Sequence, residues 1–320
     1  MKGSGIDNRQ QTCCLLSIPD PFCICIMGPT ASGKSKLALQ LAQKINGEII
    51  SVDSAIIYRG MNIGTAKPSK TEREKIPHYL IDIRDPKETY SAADFCHDAH
   101  ATIKKILAKN KIPILVGGTM LYFKTLQFGL DEMPSADKNI REKISREAQK
   151  LGWPAMHKKL QKIDPIAAKK IHTNDSQRIQ RALEVYELTG QPISALQKLD
   201  VKVSPEFNFI NVAIKPKSRE ELHQRIAKRF KKMLAAGLIE EVQKLFDRDD
   251  LSLDLPSMRA VGYRQVWQYL ADDYDYKTMI EKAIIATRQL AKRQLTWLKS
   301  WPNLHWVDQD DLRALYTFAK

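Results

Sequence analysis

Apolar and polar positions alternate in two different ways along this chain, and the change between them divides it. In the first part, short apolar runs at 22–27, 47–53, 79–83 and 112–116 are separated by segments of helical spacing, such as 36–45. Short buried runs that alternate with amphipathic helices are typical of a parallel sheet covered by helices on both faces. We predict such a sheet, with each of these four runs as a strand.

After residue 130 the β-type runs stop, and charged segments of helical spacing follow, broken by prolines. They predict helices at 137–151, 155–163 and 175–188. A strand is expected again at 207–214, and the remaining segment is predicted to be helical, at 219–236, 238–246, 263–270 and 277–298. We therefore predict an N-terminal extension at 1–20, a core formed by 21–130 and 200–320, and a helical insertion at 131–199.

Composition adds limits rather than a function. The 320 residues contain no run of the about 18 apolar positions that a membrane-spanning helix needs. Residues 1–20 lack the ordered regions of a signal peptide, and the five cysteines lack metal-ligand spacing, so a cytoplasmic protein with reduced thiols is expected. The net charge of +14 is spread along the chain. A polyanionic partner would then bind to the folded surface rather than to a basic tail. The open alternative is a basic protein that has no such partner.

The first predicted strand leads into a phosphate-binding loop of the form G-x-x-x-x-G-K-[ST], followed by a helix. Its backbone amides and helix N-terminus are suited to anionic oxygens, the Lys34 ammonium to an outer phosphate, and the Ser35 hydroxyl to Mg²⁺. The predicted diphosphate- or nucleotide-binding residues are Gly28, Pro29, Thr30, Ala31, Ser32, Gly33, Lys34 and Ser35. Together with the sheet pattern, this predicts an α/β fold: a P-loop NTPase-like core plus an all-helical insertion.

Asp53 follows the second predicted strand, so its carboxylate should lie beside the phosphate loop. There it could accept a proton from an attacking nucleophile, or it could simply cap the following turn. In the same block, Arg59 and Lys67 could neutralise phosphate or remain solvated.

An acidic residue that P-loop ATPases use to hold Mg²⁺ is missing from its usual place. The strand 112–116 ends in Gly-Gly-Thr, and Asp82, inside another predicted strand, is a weaker candidate. Motor-type ATP hydrolysis is therefore disfavoured, whereas a small-molecule kinase is not excluded. We expect ATP to occupy the loop weakly and not to be hydrolysed during the reaction.

Several longer motifs occur in one order along the chain. They are the loop at 28–35, the block at 53–68, GGTMLY at 117–122, DSQRIQRALEVYELTGQP at 175–192, MRAVGYRQVW at 258–267 and ATRQLAKRQLTW at 286–297. In these motifs the chain resembles the tRNA dimethylallyltransferase family, also called the isopentenyl-diphosphate:tRNA isopentenyltransferases. The resemblance covers about residues 21–306.

The resemblance implies transfer of a dimethylallyl group from dimethylallyl diphosphate to N6 of adenosine 37, in tRNAs that read codons beginning with U. It implies a monomer that binds the anticodon stem-loop, with Mg²⁺ held at Ser35. Asp53 would be the base, Thr30 would lie near the bridging oxygen, Lys34 would hold the diphosphate, and Arg141 would lie near the catalytic centre. The implied tRNA contacts are Asp53, Ser54, Ala55, Ile56, Thr119, Gln177, Arg178, Ile179, Gln180, Arg181, Arg259, Ala260, Val261, Gly262, Tyr263 and Arg264.

Within these contacts, Arg178 and Arg181 are one helical turn apart, which suits a phosphate ridge but also suits a solvated helix face. Tyr263 could stack on a base or belong to the core. Three alternatives remain open: an isopentenyltransferase that acts on a free adenine nucleotide, a P-loop small-molecule kinase, and an ATP-binding RNA chaperone. A free-nucleotide enzyme would not need the basic helical insertion or the segment 259–264.

Overall fold

A computed structural model describes residues 22–129, 133–197 and 206–318. The expected N-terminal extension, 1–20, lies outside the described residues. The chain forms two compact units. The first unit contains the described residues up to Met120 and from 206 onward, and the second contains those between Leu121 and Ser204. The predicted helical insertion, 131–199, falls within the second unit.

The first unit is built on one parallel sheet. Its strands are β1 (Phe22–Met27), β2 (Gly47–Val52), β3 (His78–Tyr79), β4 (Ile112–Gly117), β5 (Asn208–Lys215) and β6 (Leu304–Asp308). They lie in the order β3-β2-β4-β1-β5-β6, so the strand that carries the phosphate loop is central. Ile24 pairs with Ile114 of β4 on one side and with Ile210 of β5 on the other.

Helices connect these strands, and in the described part of the second unit all regular secondary structure is helical. They are α1 (Lys34–Lys44), α2 (Lys70–Lys75), α3 (Ala92–Leu107), α4 (Met120–Phe128), α5 (Lys138–Leu151), α6 (Trp153–Ile163), α7 (Pro165–Lys170), α8 (Ser176–Thr189), α9 (Ile193–Leu196), α10 (Arg219–Ala235), α11 (Leu238–Phe246), α12 (Tyr263–Leu270), α13 (Tyr276–Lys299) and α14 (Leu312–Thr317). In the described parts of the chain, no helix is long and apolar enough to span a membrane.

Both faces of the sheet are covered. On one face, Ile24 and Ile26 pack with Leu37 and Leu41 of α1 in a buried cluster. The alternate residues of the same strand, including Cys25, are also fully buried. Because successive side chains of a strand point to opposite faces, β1 is buried on both sides, as the continuous apolar run predicted. The predicted α/β core is confirmed.

Two edge strands differ from the prediction. The strand expected at 79–83 is reduced to His78–Tyr79, because Leu80 and Asp82 have positive φ angles of 60° and 58° and leave the extended conformation. The strand β6 was not predicted: only Val307 of its five residues is buried, so the segment lacks the apolar run of an inner strand.

In the second unit, apolar residues from five helices form a separate core, which includes Ile144, Met156, Leu160, Ile179 and Leu183. The three helices predicted here are present with small shifts at their ends. The additional helix α7 begins at Pro165, which the sequence analysis took as a breaker. Proline is favourable at the first helical position, where its missing N–H would have no partner.

Candidate active site at the carboxyl edge of the sheet

The phosphate loop has the bent backbone that its sequence predicts. Ala31 and Gly33 have φ angles of 63° and 93°, which turn the chain so that α1 begins at Lys34. The Lys34 ammonium donates to the Pro29 carbonyl at 3.4 Å. Burial and the nearby Arg229 lower the pKa of Lys34 to about 8, while Asp53 partly opposes the shift. Lys34 is therefore a partly buried cation that an anion would stabilise.

A buried amide side chain on α13 links the phosphate loop to the neighbouring strand end. The Thr30 backbone N–H donates to Gln294 Oε1 at 2.8 Å, and Gln294 Nε2 donates to the Gly118 carbonyl at 2.9 Å. Sequence reasoning did not single out Gln294, because its partners are far away along the chain. The Thr30 amide, expected to hold the diphosphate with the other loop amides, donates here to the protein.

Asp53 caps the following turn, one of the two possibilities that the sequence left open, and it also lies at the cavities beside the phosphate loop. Its Oδ1 accepts from the amides of Ala55 (2.9 Å) and Ile56 (3.4 Å), so the side chain caps the following turn. Among the described residues, Oδ2 has no hydrogen-bond partner, and Asp53 lines two adjoining cavities. One carboxylate oxygen fixes the side chain and the other is available for proton transfer.

The first of these cavities, here called the edge cavity, has a volume of about 350 Å³ and gathers many of the implied tRNA contacts of the first unit. Asp53, Ser54 and Ala55 come from the end of β2, and Thr119 from the end of β4. The segment before α12 contributes Arg259, Ala260, Val261, Gly262 and Tyr263. Residues from distant parts of the sequence therefore meet at one edge of the sheet, as parallel strands require.

Two smaller cavities adjoin the phosphate loop. The inner cavity, of about 120 Å³, is lined by Lys34, Ser35 and Ile56 together with apolar side chains that include Ile49, Ile81, Val116 and Leu290. The basic cavity, of about 300 Å³, is lined by Gly33, Ser35 and a set of cationic side chains: Lys34, Lys36, Arg225, Lys228, Arg229 and Lys232. The apolar side chains of the inner cavity, beside the cationic cavity, suit a small hydrocarbon group joined to an anion.

Arg229 on α10 lines all three cavities, and sequence reasoning missed it. Burial lowers its pKa, with the Asp53 charge acting in the opposite direction. Its Nη2 donates to the Thr65 carbonyl at 3.4 Å, and among the described residues it has no carboxylate within ion-pair distance. The sequence shows only that Arg229 lies on an amphipathic helix. Because an arginine on such a helix is usually solvated, nothing in the local pattern pointed to the site.

Tyr263 belongs to the core rather than offering a free aromatic face. Its side chain is fully buried, and its hydroxyl donates to Glu241 Oε1 at 2.5 Å. A Cβ at Gly64 would lie 2.4 Å from the tyrosine ring, so glycine is required for this packing. Burial, with Glu241 nearby, raises the pKa of Tyr263. The neighbours Arg259 and Arg264 are exposed.

The other charged candidates in this unit are paired. Lys67, with 3% of its side chain exposed, donates to Asp82 at 2.5 Å and to the Tyr58 carbonyl at 2.8 Å. Arg59 lies 3.7 Å from Glu88. Because Lys67 and Arg73 both bind Asp82, that carboxylate is not available as a metal ligand. The end of β4 carries Thr119, whose hydroxyl accepts from the Ser54 amide at 3.1 Å.

Few protein ligands are available for the implied Mg²⁺. In the described chain, no three or more His, Cys, Asp or Glu side chains are grouped to hold a metal. Ser35 and Asp53 line the inner cavity together. Mg²⁺ commonly uses one or two protein ligands, substrate phosphate oxygens and water. The residues present are therefore compatible with Mg²⁺ that enters with a diphosphate.

In the second unit, a fully buried glutamate organises several of the candidate residues. Glu184 accepts from Arg141 Nε at 2.8 Å, from Arg181 Nη1 at 2.7 Å and from the Asp137 amide at 2.9 Å. Arg181 also donates to the Pro134 carbonyl at 2.6 Å. These two arginines are therefore held within the unit by strong local contacts.

The remaining candidates of α8 have different surroundings. Ile179 is fully buried in the core of the second unit. Gln180 Nε2 donates to the Arg141 carbonyl and to Ser145. Gln177 is exposed, and Arg178 has 70% of its side chain exposed with only Asp175 nearby, at 3.4 Å. On this helix, Gln177 and Arg178 are the candidates best placed to meet a ligand.

Comparisons with known proteins agree with these features. A family profile described as IPP transferase matches residues 56–301. Two relatives named tRNA dimethylallyltransferase, from two strains of Coxiella burnetii, are each 54% identical over 292 residues, which is 91% of this chain and 94% of the relative.

Solved structures are similar over most of the chain. The full-length tRNA isopentenylpyrophosphate transferase of Bacillus halodurans is 37% identical, with a TM-score of 0.68, and the match covers 93% of this chain and 95% of that one. A eukaryotic dimethylallyltransferase acting on tRNA is 30% identical, with a TM-score of 0.72, covering 91% of this chain and 74% of that one. The chain belongs to the IPP transferase family.

Proposed function

We propose that this chain transfers a dimethylallyl group from dimethylallyl diphosphate to N6 of adenosine 37, in tRNAs that read codons beginning with U. Family membership supports a prenyltransferase that acts on tRNA. The observation that carries the site assignment is that Thr30 and Asp53 line both the edge and the inner cavity, and that Arg229 lines these two and the basic cavity. An acceptor in the edge cavity and a diphosphate at the phosphate loop would meet there.

In the proposed reaction, the adenine N6 attacks C1 of the dimethylallyl group as the bond from C1 to the diphosphate oxygen breaks. Asp53 takes the proton that N6 loses, because an exocyclic amine is a poor nucleophile without proton removal. Diphosphate leaves with its charge stabilised by Lys34 and Arg229, both partly buried cations beside the loop. The apolar side chains that line part of the inner cavity would contact the hydrocarbon group.

Mg²⁺, held at the Ser35 hydroxyl and by the diphosphate oxygens, would add further neutralisation of the leaving group. We also propose that the protein acts as a cytoplasmic monomer on the anticodon stem-loop. Cys23 is buried and not in a disulfide, which suits a reducing compartment. The kinase alternative is not favoured, because the end of β4 has no carboxylate and Asp82 is bound by Lys67 and Arg73.

The test is transfer of labelled dimethylallyl diphosphate, with Mg²⁺, to an anticodon stem-loop that contains A37. Label should enter this RNA and not a matched stem-loop with guanosine at position 37. Label in free adenine nucleotides alone, or tRNA-dependent phosphate release from ATP, would contradict the proposal.

A further inference from the structure

One carboxylate on α11 joins two segments of the first unit that are far apart in the sequence. Glu241 accepts hydrogen bonds from the backbone amides of Asn62 (2.9 Å), Ile63 (2.9 and 3.0 Å) and Gly64 (3.2 Å). It also accepts the Tyr263 hydroxyl at 2.5 Å. Successive backbone N–H groups that converge in this way form an anion-binding nest, and here a protein side chain fills it.

The two segments form facing parts of the edge cavity. Gly64 and Thr65 line it from the loop, and residues 260–263 line it from the segment before α12. The Tyr263 ring packs so closely on Gly64 that no Cβ could be accommodated. Glu241 does not itself line the cavity. Its hydrogen bonds to Tyr263 and to the loop at 62–64 therefore influence the shape of the cavity without direct contact.

We infer that Glu241 is a positioning residue for the RNA acceptor: it holds the loop at 62–64 against Tyr263 and so gives the edge cavity the shape that places N6 beside Asp53. This inference rests on the proposed function. The basic cavity contains neither the loop nor the segment 260–263. Glu241 should consequently affect the acceptor RNA and leave diphosphate binding unchanged.

The experiment compares Glu241→Gln with the wild-type protein. Glutamine keeps the shape but loses the charge, and its NH₂ group cannot accept from the amides. We expect kcat/KM for the stem-loop to fall by up to about 100-fold, through a higher KM for RNA and a lower kcat, because small misplacements cost this much. Diphosphate affinity, measured by equilibrium binding of labelled dimethylallyl diphosphate, should stay within about twofold of the wild type.

Two further variants make the result specific. Glu240→Gln removes the same charge from an exposed neighbour on α11 and should leave RNA kinetics unchanged. Tyr263→Phe removes one hydrogen bond from Glu241 and should raise the KM for RNA by about 2- to 10-fold, again with unchanged diphosphate affinity. It also tests the inference if Glu241→Gln fails to fold.

The outcomes separate the two proposals. If the wild-type protein does not modify RNA, the proposed function fails, whatever Glu241 does. If the wild-type protein is active but Glu241→Gln and Tyr263→Phe keep its KM for RNA and kcat, the positioning role is wrong. A parallel loss of diphosphate affinity and RNA kinetics would also overturn it, because that result indicates general damage to the fold.

Discussion

Partly buried cations at the phosphate-loop cavities of the first unit and around Glu184 in the second unit have opposite surroundings. In the second unit, the fully buried Glu184 binds both Arg141 and Arg181. In the first unit, Lys34 and Arg229 lie at the cavities, and among the described residues neither has a carboxylate within ion-pair distance. A neutralised charge stabilises the fold locally, whereas an uncompensated charge at a cavity is available to a ligand of opposite sign.

The pKa shifts have the corresponding directions. Burial lowers the pKa of Lys34 and Arg229, so their charged forms are disfavoured by the protein alone. Burial would raise the pKa of Glu184, but hydrogen bonds from Arg141, Arg181 and the Asp137 amide outweigh it and hold that pKa below its usual value. Substitution of Lys34 or Arg229 should therefore reduce activity, whereas substitution of Glu184 should reduce the stability of the second unit.

The largest effect is expected at Asp53. Asp53→Asn can still accept from the Ala55 amide and keep the turn, but it cannot take a proton at neutral pH. Single-turnover transfer should slow by about 10²- to 10⁴-fold with unchanged diphosphate affinity. Transfer at a near wild-type rate would show that Asp53 is only a cap.

Glu184→Gln should lower the stability of the second unit by about 3 kcal/mol, the low end for a broken buried pair, because both arginines are partly exposed. Hydrogen exchange over 138–197 would measure it. Since folding depresses the Glu184 pKa, its contribution is present above about pH 4.5 and is lost as pH falls through the folded-state value. The variant should lose this pH dependence, and an unchanged exchange profile would contradict the assignment.

Arg229→Met should weaken diphosphate binding by about 10- to 100-fold, the value of a charge-assisted hydrogen bond, without lowering the free energy of unfolding. The matched control is Lys231→Met, which removes an exposed charge from the same helix outside the three cavities and should leave diphosphate affinity unchanged. Calorimetry and thermal unfolding of both variants would test the comparison. A large loss of stability in Arg229→Met would show that the Arg229 charge, like the charges around Glu184, stabilises the fold.

Diphosphate affinity should also depend on pH through Lys34, whose pKa is lowered to about 8. The ammonium is present below that pH, so affinity should be constant there and fall by up to about tenfold per pH unit above it. Titrations between pH 7 and 10 would test this. Affinity that stays flat across this range would exclude a role for the Lys34 charge.

The smallest effect is expected from Arg178→Ala. Loss of one phosphate contact should reduce the salt slope of stem-loop binding by about one unit or less, with preference for A37 unchanged. The sequence suggested the same result for Arg181, but its contacts with Glu184 and Pro134 predict that Arg181→Ala mainly destabilises the second unit. Equal salt slopes for the wild type and Arg178→Ala would show that Arg178 contacts solvent and not an RNA phosphate.

Much of the fold was readable from local patterns. The apolar run 22–27 predicted an inner strand, and helical spacing predicted α5, α6 and α8. In the structure, Asp137 and Asp175 are the N-caps of α5 and α8. Pro165 was misread, since it starts a helix rather than only ending one. The strand β6 was missed because it is mostly exposed and depends on pairing with β5.

The sequence by itself determined the phosphate loop, the alternation of strands and helices, and the placement of Asp53 at a strand end. These features depend on residue spacing and backbone preference, which act over a few positions. Only the tertiary structure decided that Lys67 binds Asp82, that Gln294 joins Thr30 to Gly118, and that Arg229 has no carboxylate partner in the described chain. The partner of a charged or polar group depends on which distant segments the fold brings within hydrogen-bond distance, and that information is absent from any local pattern.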